Sequence, residues 1–132
     1  MKKQILALSF GAVLLALCFS AMAQQPAKVR RIGVLRADSP PNLSADTFQQ
    51  AMRDLGYVEG KNIVIEYRYA EGKVDRLPNL AEELVRLNVD VIVTGGPTIT
   101  PIVKEATTTI PIVMGYDSDP VGSGFVASLA HP

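Results

Sequence analysis

Two aspartates near the end of the chain have a spacing that could support chemistry. Asp117 and Asp119 follow an apolar run, beside Tyr116. Two carboxylates this close could bind a cation or a ligand ammonium group, or act as an acid and base pair. Asp119 also precedes Pro120, the usual layout of a helix N-cap followed by proline at the first helical position. We therefore favour capping for Asp119 and expect Asp117 to be the better polar ligand contact.

A second polar turn, Gly95-Gly96-Pro97-Thr98, suits an anion. Glycine lets the backbone approach a ligand closely, and a helix beginning after Pro97 would offer free N–H groups and a positive dipole end. Thr98 could add a hydroxyl group. The same composition is also typical of a tight turn with a cap, so both interpretations stay open on the residues alone. The turn matches neither the dinucleotide fingerprint nor the P-loop, and no cofactor is predicted.

Several other kinds of site are not expected. The single cysteine, Cys18, lies in the apolar N-terminal run, and the single histidine, His131, is next to the last residue. A zinc site or a Ser-His-Asp triad is therefore not predicted, and no metal ligand is assigned. Loss of Lys2 and Lys3 with the N-terminal run would leave 11 basic against 13 acidic residues. A slightly acidic sequence whose charges are dispersed shows no basic patch of the kind that binds nucleic acid, so nucleic-acid binding is not predicted.

The elements that must position these residues alternate between strand and helix patterns. Apolar or alternating segments predict four strands, at 31–35, 62–69, 89–93 and 110–114. Three helices are predicted between them. Ser44 would cap the first and Gly56 would end it, Asp75 would cap the second, and the third would span 99–106.

The alternation predicts an α/β fold, a three-layer Rossmann-like parallel sheet built from right-handed βαβ units. Glu66 and Arg68 place charge on one face of the second strand, which suits a sheet edge. The expected strand order is therefore 2-1-3-4. The segments 36–39, 94–98 and 116–119 would then share the carboxyl edge of the sheet, where open α/β folds bind their ligands.

The N-terminus predicts export. A basic start precedes an apolar run over 5–21, and Ala21-Met22-Ala23 offers small residues at a cleavage site. This pattern predicts a signal peptide over 1–23, a leader over 24–30 and a domain over 31–132, with the mature protein in the periplasm. A retained membrane helix would need about 20 apolar residues, which is more than this run contains.

An ordered series of sequence blocks identifies a family resemblance. The blocks are LGYVEGKN at 55–62, IEYRYAEG at 65–72, RLP at 76–78, AEELV at 81–85, VDVIV at 89–93, IPIVM at 110–114 and DPVG at 119–122. Together they resemble the ABC transporter substrate-binding proteins of the type I periplasmic-binding fold, in the branch related to aromatic amino-acid binders. The resemblance covers nearly all of residues 31–132.

The resemblance implies a bilobal, non-enzymatic receptor. Such a receptor closes on a small amino-acid-like or carboxylate-bearing solute and presents it to a permease in the inner membrane. Residues 31–132 would form the N-terminal lobe, truncated and without the second lobe. Transferred by position, the ligand contacts of the first lobe fall on Asp38, Ser39, Gly96, Pro97, Thr98, Tyr116, Asp117 and Asp119.

Two alternatives stay open beside this interpretation. An exported α/β enzyme could use Asp117 and Asp119 around Mg²⁺, although the sequence offers it no nucleophile with a base and no phosphate loop. The sensor lobe of a signalling receptor would share the fold, and it would need a transmembrane segment after the domain.

Overall fold

The computed structural model describes residues 28–116, 118–128 and 130. The elements in order are β1 (Arg30–Arg36), α1 (Leu43–Asp54), β2 (Ile63–Tyr69), a 3₁₀ turn (Val74–Arg76), α2 (Leu77–Arg86), β3 (Val91–Thr94), α3 (Ile99–Ala106) and β4 (Ile112–Met114). The predicted signal peptide, most of the leader, Asp117 and His131 lie outside the described residues. No helix in the described part of the chain is long and apolar enough to cross a membrane.

The four strands form one parallel sheet in the order β2-β1-β3-β4, which confirms the predicted order. β1 lies at the centre, with Val34 opposite Tyr67 on β2 and opposite Val93 on β3. Parallel strands need crossover connections, and the helices between them provide these connections. All four strands therefore end at the same edge of the sheet.

Apolar side chains on both faces of the sheet create three layers. α2 and α3 cover one face through the larger cluster of buried residues, which contains Leu35, Ala70, Leu77, Leu80, Ala81, Leu84, Val89, Ile92, Ile99 and Val103. α1 covers the other face, where Phe48 and Met52 pack on Ile32, Val34, Ile63 and Ile65. No residue of α1 is fully buried, so this second face is the more thinly covered one.

Two of the predicted helix caps are wrong. α1 is capped by Asn42, whose side-chain oxygen accepts hydrogen bonds from the backbone N–H groups of Ser44 and Ala45 at 2.9 and 3.3 Å. The predicted cap, Ser44, is therefore already inside the helix. Asp75 lies in the 3₁₀ turn before α2, and Arg76 occupies the cap position without a side-chain hydrogen bond.

The predicted end of α1 is confirmed. Gly56 has a φ angle of 88°, in the left-handed region that glycine enters without a steric penalty. Its N–H donates to the Arg53 carbonyl at 2.9 Å, and the N–H of Tyr57 donates to the Met52 carbonyl at 2.8 Å. This pair of bonds is the Schellman motif, which satisfies the last carbonyl groups of a helix.

Candidate functional site

A cleft of about 370 Å³ opens at the carboxyl edge of the sheet, on the side covered by α1. Its walls come from the ends of β1, β3 and β4 and from the first turns of α1. The lining residues are Val34, Arg36, Ser44, Phe48, Val93, Thr94, Gly95, Gly115 and Tyr116. Because open α/β sheets bind ligands at this edge, the cleft is the candidate functional site.

Arg36 is the charged residue among those that line this cleft. It is the last residue of β1 and shares a face with Val34, because alternate residues of a strand point the same way. Its Nε atom donates to Oδ1 of Asp38 at 2.9 Å, and its Nη2 atom donates to Oδ2 at 2.8 Å. The Asn42 side-chain amide also donates to Oδ2 of Asp38. The guanidinium is therefore held in one orientation by a bidentate pair.

This pairing changes the acidity of both partners. The hydrogen bonds from Arg36 hold the pKa of the Asp38 carboxyl below its ordinary value, more than burial raises it. The same bonds raise the pKa of Arg36. Both groups are consequently charged at neutral pH, and the cleft contains a permanent cation beside a compensating carboxylate.

Aromatic rings flank the arginine. Tyr67 and Tyr69 stack with ring centroids 5.9 Å apart and an interplanar angle of 11°, and Tyr69 lies opposite Arg36 in the strand register. Burial raises the pKa of both phenols, so both stay neutral. Phe48 and Tyr116 line the cleft itself; Phe48 is half-buried and Tyr116 is 65% exposed.

The glycine turn after β3 places Gly95 against the Arg36 side chain. A Cβ atom at Gly95 would lie 3.4 Å from Nη1 and 3.5 Å from Cγ of Arg36. Gly96 is buried, whereas Pro97 and Thr98 are exposed. The Thr98 side chain makes no capping hydrogen bond to α3. Gly95 is therefore the exposed glycine of this turn, and it lies next to the guanidinium.

The acidic turn after β4 is described only in part, because Asp117 lies outside the described residues. The Asp119 side chain accepts a hydrogen bond from the backbone N–H of Gly122 at 2.8 Å, as a cap would. The segment that it caps is a hydrogen-bonded turn in place of the expected helix. Asp119 is exposed and is not among the residues that line the cleft.

The sequence-predicted contacts share the carboxyl edge but do not all face the cleft. Tyr116 lines it, and Asp38 reaches it through its pair with Arg36. Ser39, Pro97 and Thr98 are exposed nearby and outside the lining.

The sequence analysis missed Arg36 and Phe48 as cleft residues. A signal for Arg36 was present, since extending the first strand by one residue puts Arg36 on the same face as Val34. The helical spacing that includes Phe48 indicates only a packing residue.

A second, larger cavity of about 730 Å³ shares no lining residue with this cleft. It runs between α3, β4 and the segment 125–126, and it includes Lys104, Ile110, Ile112, Val113 and Phe125. The Lys104 ammonium lies over the Phe125 ring, 5.3 Å from its centroid. Within the described ranges, no group of three or more His, Cys, Asp or Glu side chains could hold a metal ion.

A parallel α/β lobe with an open cleft at its carboxyl edge has the architecture of a small-ligand-binding domain. Residues 32–132 match the family model described as ABC transporter substrate binding protein. The chain therefore belongs to the ABC transporter substrate-binding protein family, which is not an enzyme family.

Relatives of known name or structure agree with this assignment. The chain is 31% identical over 107 residues to a tyrosine-binding protein of Clostridioides difficile, covering 80% of this chain and 31% of the relative. A conserved domain protein of Vibrio cholerae O1 superposes with a TM-score of 0.70 at 32% identity, covering 77% of this chain and 35% of that one. An ABC domain of Streptococcus pneumoniae in complex with L-Trp gives a TM-score of 0.63 at 26% identity, covering 76% and 34%. The chain thus spans about a third of the length of these proteins.

Proposed function

We propose that this protein is an exported solute-binding receptor of an ABC import system, and that it captures a small amino-acid-like or carboxylate-bearing solute. The observation that carries the proposal is the cleft at the carboxyl edge of the sheet. There a fixed guanidinium, a bare glycine backbone and aromatic rings converge. Ligand sites in proteins typically combine an apolar wall with a few polar groups in fixed positions.

The names of the relatives support the solute class. One relative is a tyrosine-binding protein, and one structural neighbour holds L-Trp. Both of these solutes carry a carboxylate, an ammonium and an aromatic ring. The cleft of this chain offers hydrogen-bond donors at the Arg36 guanidinium and aromatic surface at Phe48 and Tyr116. Gly95 adds open backbone surface beside the guanidinium, while its own N–H donates to the Leu35 carbonyl. These groups would complement an amino acid, and an aromatic one in particular.

The remaining predicted contacts belong to this proposal. We infer that Ser39, Pro97 and Thr98 face the solute from the rim of the cleft, together with Tyr116, Asp119 and, beyond the described residues, Asp117. Gly96, which is buried in this lobe, would contribute through the backbone of the same turn. We propose that residues 31–132 form the first lobe and that a second lobe, supplied by the rest of a protein of the length of the relatives, closes the open side. A ligand enclosed in this way loses most of its contact with water.

Export and delivery complete the proposed role. The predicted signal peptide over 1–23 and the leader over 24–30 would release the receptor into the periplasm. Proteins of this family are typically extracytoplasmic. The proposed partner is an ABC permease in the inner membrane, to which the closed receptor would hand its solute unchanged.

Calorimetry tests this proposal. The protein expressed from its complete reading frame, freed of solute by denaturation and refolding, is titrated with the twenty L-amino acids and with simple carboxylates. We expect micromolar or tighter binding of at least one of them, with recovery of the unaltered solute afterwards. Binding of none of these solutes would contradict the proposal. Metal-dependent conversion of a solute would favour instead an exported enzyme that uses Asp117 and Asp119.

A further inference from the structure

We propose that Arg36 binds the carboxylate of the solute, that Asp38 positions its guanidinium for this contact, and that Gly95 leaves room for the solute beside it. The inference rests on the proposed function, because it assigns the anion-binding group of the same cleft. Arg36 is a binding residue in this scheme. Asp38 acts through it as a positioning residue, and Gly95 keeps Nη1 accessible.

The guanidinium keeps free donors after it pairs with Asp38. An arginine carries five N–H groups, and only Nε and Nη2 donate to the Asp38 carboxylate. Among the described residues, no acceptor takes the N–H groups of Nη1. Nη1 lies on the Gly95 side of the guanidinium, where a Cβ atom at Gly95 would approach it to 3.4 Å. Because glycine has no Cβ atom, a solute oxygen can reach Nη1 from the cleft.

The charges in the cleft favour an anion at this position. Arg36 is the one charged side chain that lines the described cleft, and its side chain is 18% exposed. Asp38 compensates part of its charge without occupying Nη1. In a partly desolvated site, a charge-assisted hydrogen bond to a carboxylate is stronger than a bond between neutral groups. An ammonium group placed beside Nη1 would meet like charge.

Asn42, the N-cap of α1, also helps to hold Arg36 in place through Asp38. Asp38 receives two hydrogen bonds from Arg36 and a third from Asn42, which also caps α1. The orientation of the guanidinium is thus fixed by the loop between β1 and α1 before any solute binds. A group that is already held in its bound orientation loses little entropy on binding, which raises affinity.

The test compares an amino acid with its carboxamide. The probes are the L-amino acid bound best in the titrations above and its amide, for example L-tyrosine with L-tyrosinamide or L-tryptophan with L-tryptophanamide. The proteins are the wild type, R36Q, R36K and D38N, each expressed from the complete reading frame. The matched control is R53Q, since Arg53 is an exposed arginine in the last turn of α1.

We expect R36Q to weaken binding of the free amino acid by roughly 10- to 100-fold, the range for a hydrogen bond to a charged group. Affinity for the amide should change by less than about threefold, so the preference for the carboxylate disappears. R36K keeps the charge and should recover part of the preference. D38N should lower the preference less than R36Q does, and R53Q should leave it intact.

The outcomes distinguish failure of the role of Arg36 from failure of the proposed receptor function. If the wild type binds an amino acid and R36Q keeps its preference over the amide, Arg36 is not the carboxylate site, whereas the receptor function stands. If the wild type binds no carboxylate-bearing solute, both ideas fail. Should R36Q not fold, R36M decides the matter, because it removes the charge and the donors, and a preference identical to that of the wild type would then reject the role of Arg36.

Discussion

The arginine at the end of β1 is held because its carboxylate partner is only two residues away. Arg36 and Asp38 are joined by two hydrogen bonds of 2.9 and 2.8 Å, and Asn42 contributes a third bond to the same carboxylate. A short loop can therefore orient a long side chain. The contribution to stability is expected to be modest, since the Asp38 side chain is 43% exposed and solvent screens the pair.

The first prediction concerns pH and the Arg36–Asp38 pair. Because the folded protein holds the pKa of Asp38 below its ordinary value, the pair stabilises the fold above the unfolded-state pKa of about 3.9. The contribution is lost as the pH falls through the folded-state pKa. We expect D38N to lower the free energy of unfolding at pH 7 by about 0.2 to 1 kcal/mol.

Thermal unfolding of wild type and D38N between pH 7 and pH 3 measures this effect. The difference between the two proteins should shrink toward pH 3. D75N is the control, because the Asp75 side chain makes no ion pair within the described part of the chain. A difference of the same size at every pH would contradict the account of this pair.

The second prediction concerns a buried pair of hydroxyl groups, one of which belongs to Thr94 in the lining of the cleft. Thr94 and Thr100 are 0% and 2% exposed, and their Oγ1 atoms lie 2.8 Å apart. Thr100 also donates to the Gly96 carbonyl at 3.4 Å. We expect T100V to cost about 1 to 3 kcal/mol in the free energy of unfolding, because it leaves the Thr94 hydroxyl buried without its partner.

Chemical denaturation of single and double variants checks this prediction. The T94V/T100V double variant should be closer in stability to the wild type than the sum of the single losses, because neither hydroxyl then remains unsatisfied. T98V, at the exposed threonine of the same turn, should change stability by less than about 0.5 kcal/mol. Additive losses in the double variant would show that the two hydroxyl groups are not coupled.

At the scale of the elements, α1 is the helix whose position controls the cleft. Its first turns contribute Ser44 and Phe48 to the lining, and its N-cap Asn42 supports the Arg36–Asp38 pair. None of its residues is fully buried, so packing alone holds it less firmly than α2. The N-cap hydrogen bonds therefore contribute more to holding α1 in position than they would in a deeply packed helix.

The third prediction distinguishes the observed cap of α1 from the one expected from sequence. N42A removes the oxygen that accepts from the N–H groups of Ser44 and Ala45, and it should destabilise the protein by about 1 kcal/mol. S44A keeps those backbone bonds and removes only the hydrogen bond from the Ser44 hydroxyl to the Asn42 side-chain oxygen, so this comparison variant should cost less than about 0.5 kcal/mol. Thermal melting of both variants gives the comparison, and equal losses would reject Asn42 as the cap.

Periodicity and turn chemistry predict the strands and helices of this fold well. They predict its helix caps and side-chain hydrogen bonds less well. The strands, the parallel order and the Schellman glycine at 56 follow from apolar spacing and from the special backbone of glycine. Ser44 and Asn42 are both good cap residues and are only two positions apart, so only the path of the loop decides between them. Arg36 belongs to the segment 36–39 that is expected at the ligand edge, but the loop geometry is needed to show that Asp38 fixes its guanidinium there.

At the scale of the whole molecule, the side of β4 away from β3 is an open edge of the sheet within the residues that the structure describes. β4 pairs with β3 on one side, and Val113 is 50% exposed. The cavity of about 730 Å³ beside it has Ile110, Ile112 and Phe125 in its walls. An unpaired strand edge next to apolar surface invites association with another chain.

The fourth prediction follows from this open edge and from the proposed second lobe. Residues 24–132 alone should be marginally stable or self-associating, and they should bind no amino acid tightly because one face of the solute would stay in water. V113K on this fragment should reduce association, since a lysine on an edge strand opposes pairing. Sedimentation and solute titration check both points. A monomer with micromolar or better affinity would show that one lobe is sufficient.

The central claim is that the solute binds at the carboxyl edge of the sheet. A crystal structure of the complete protein with its best-bound amino acid tests this claim directly. We expect the solute to lie between Gly95 and Tyr116, with its carboxylate within hydrogen-bonding distance of Nη1 of Arg36. Density for the solute in the second cavity, beside Lys104 and Phe125, would contradict the account. So would density at any other site without contact to Arg36 and Gly95.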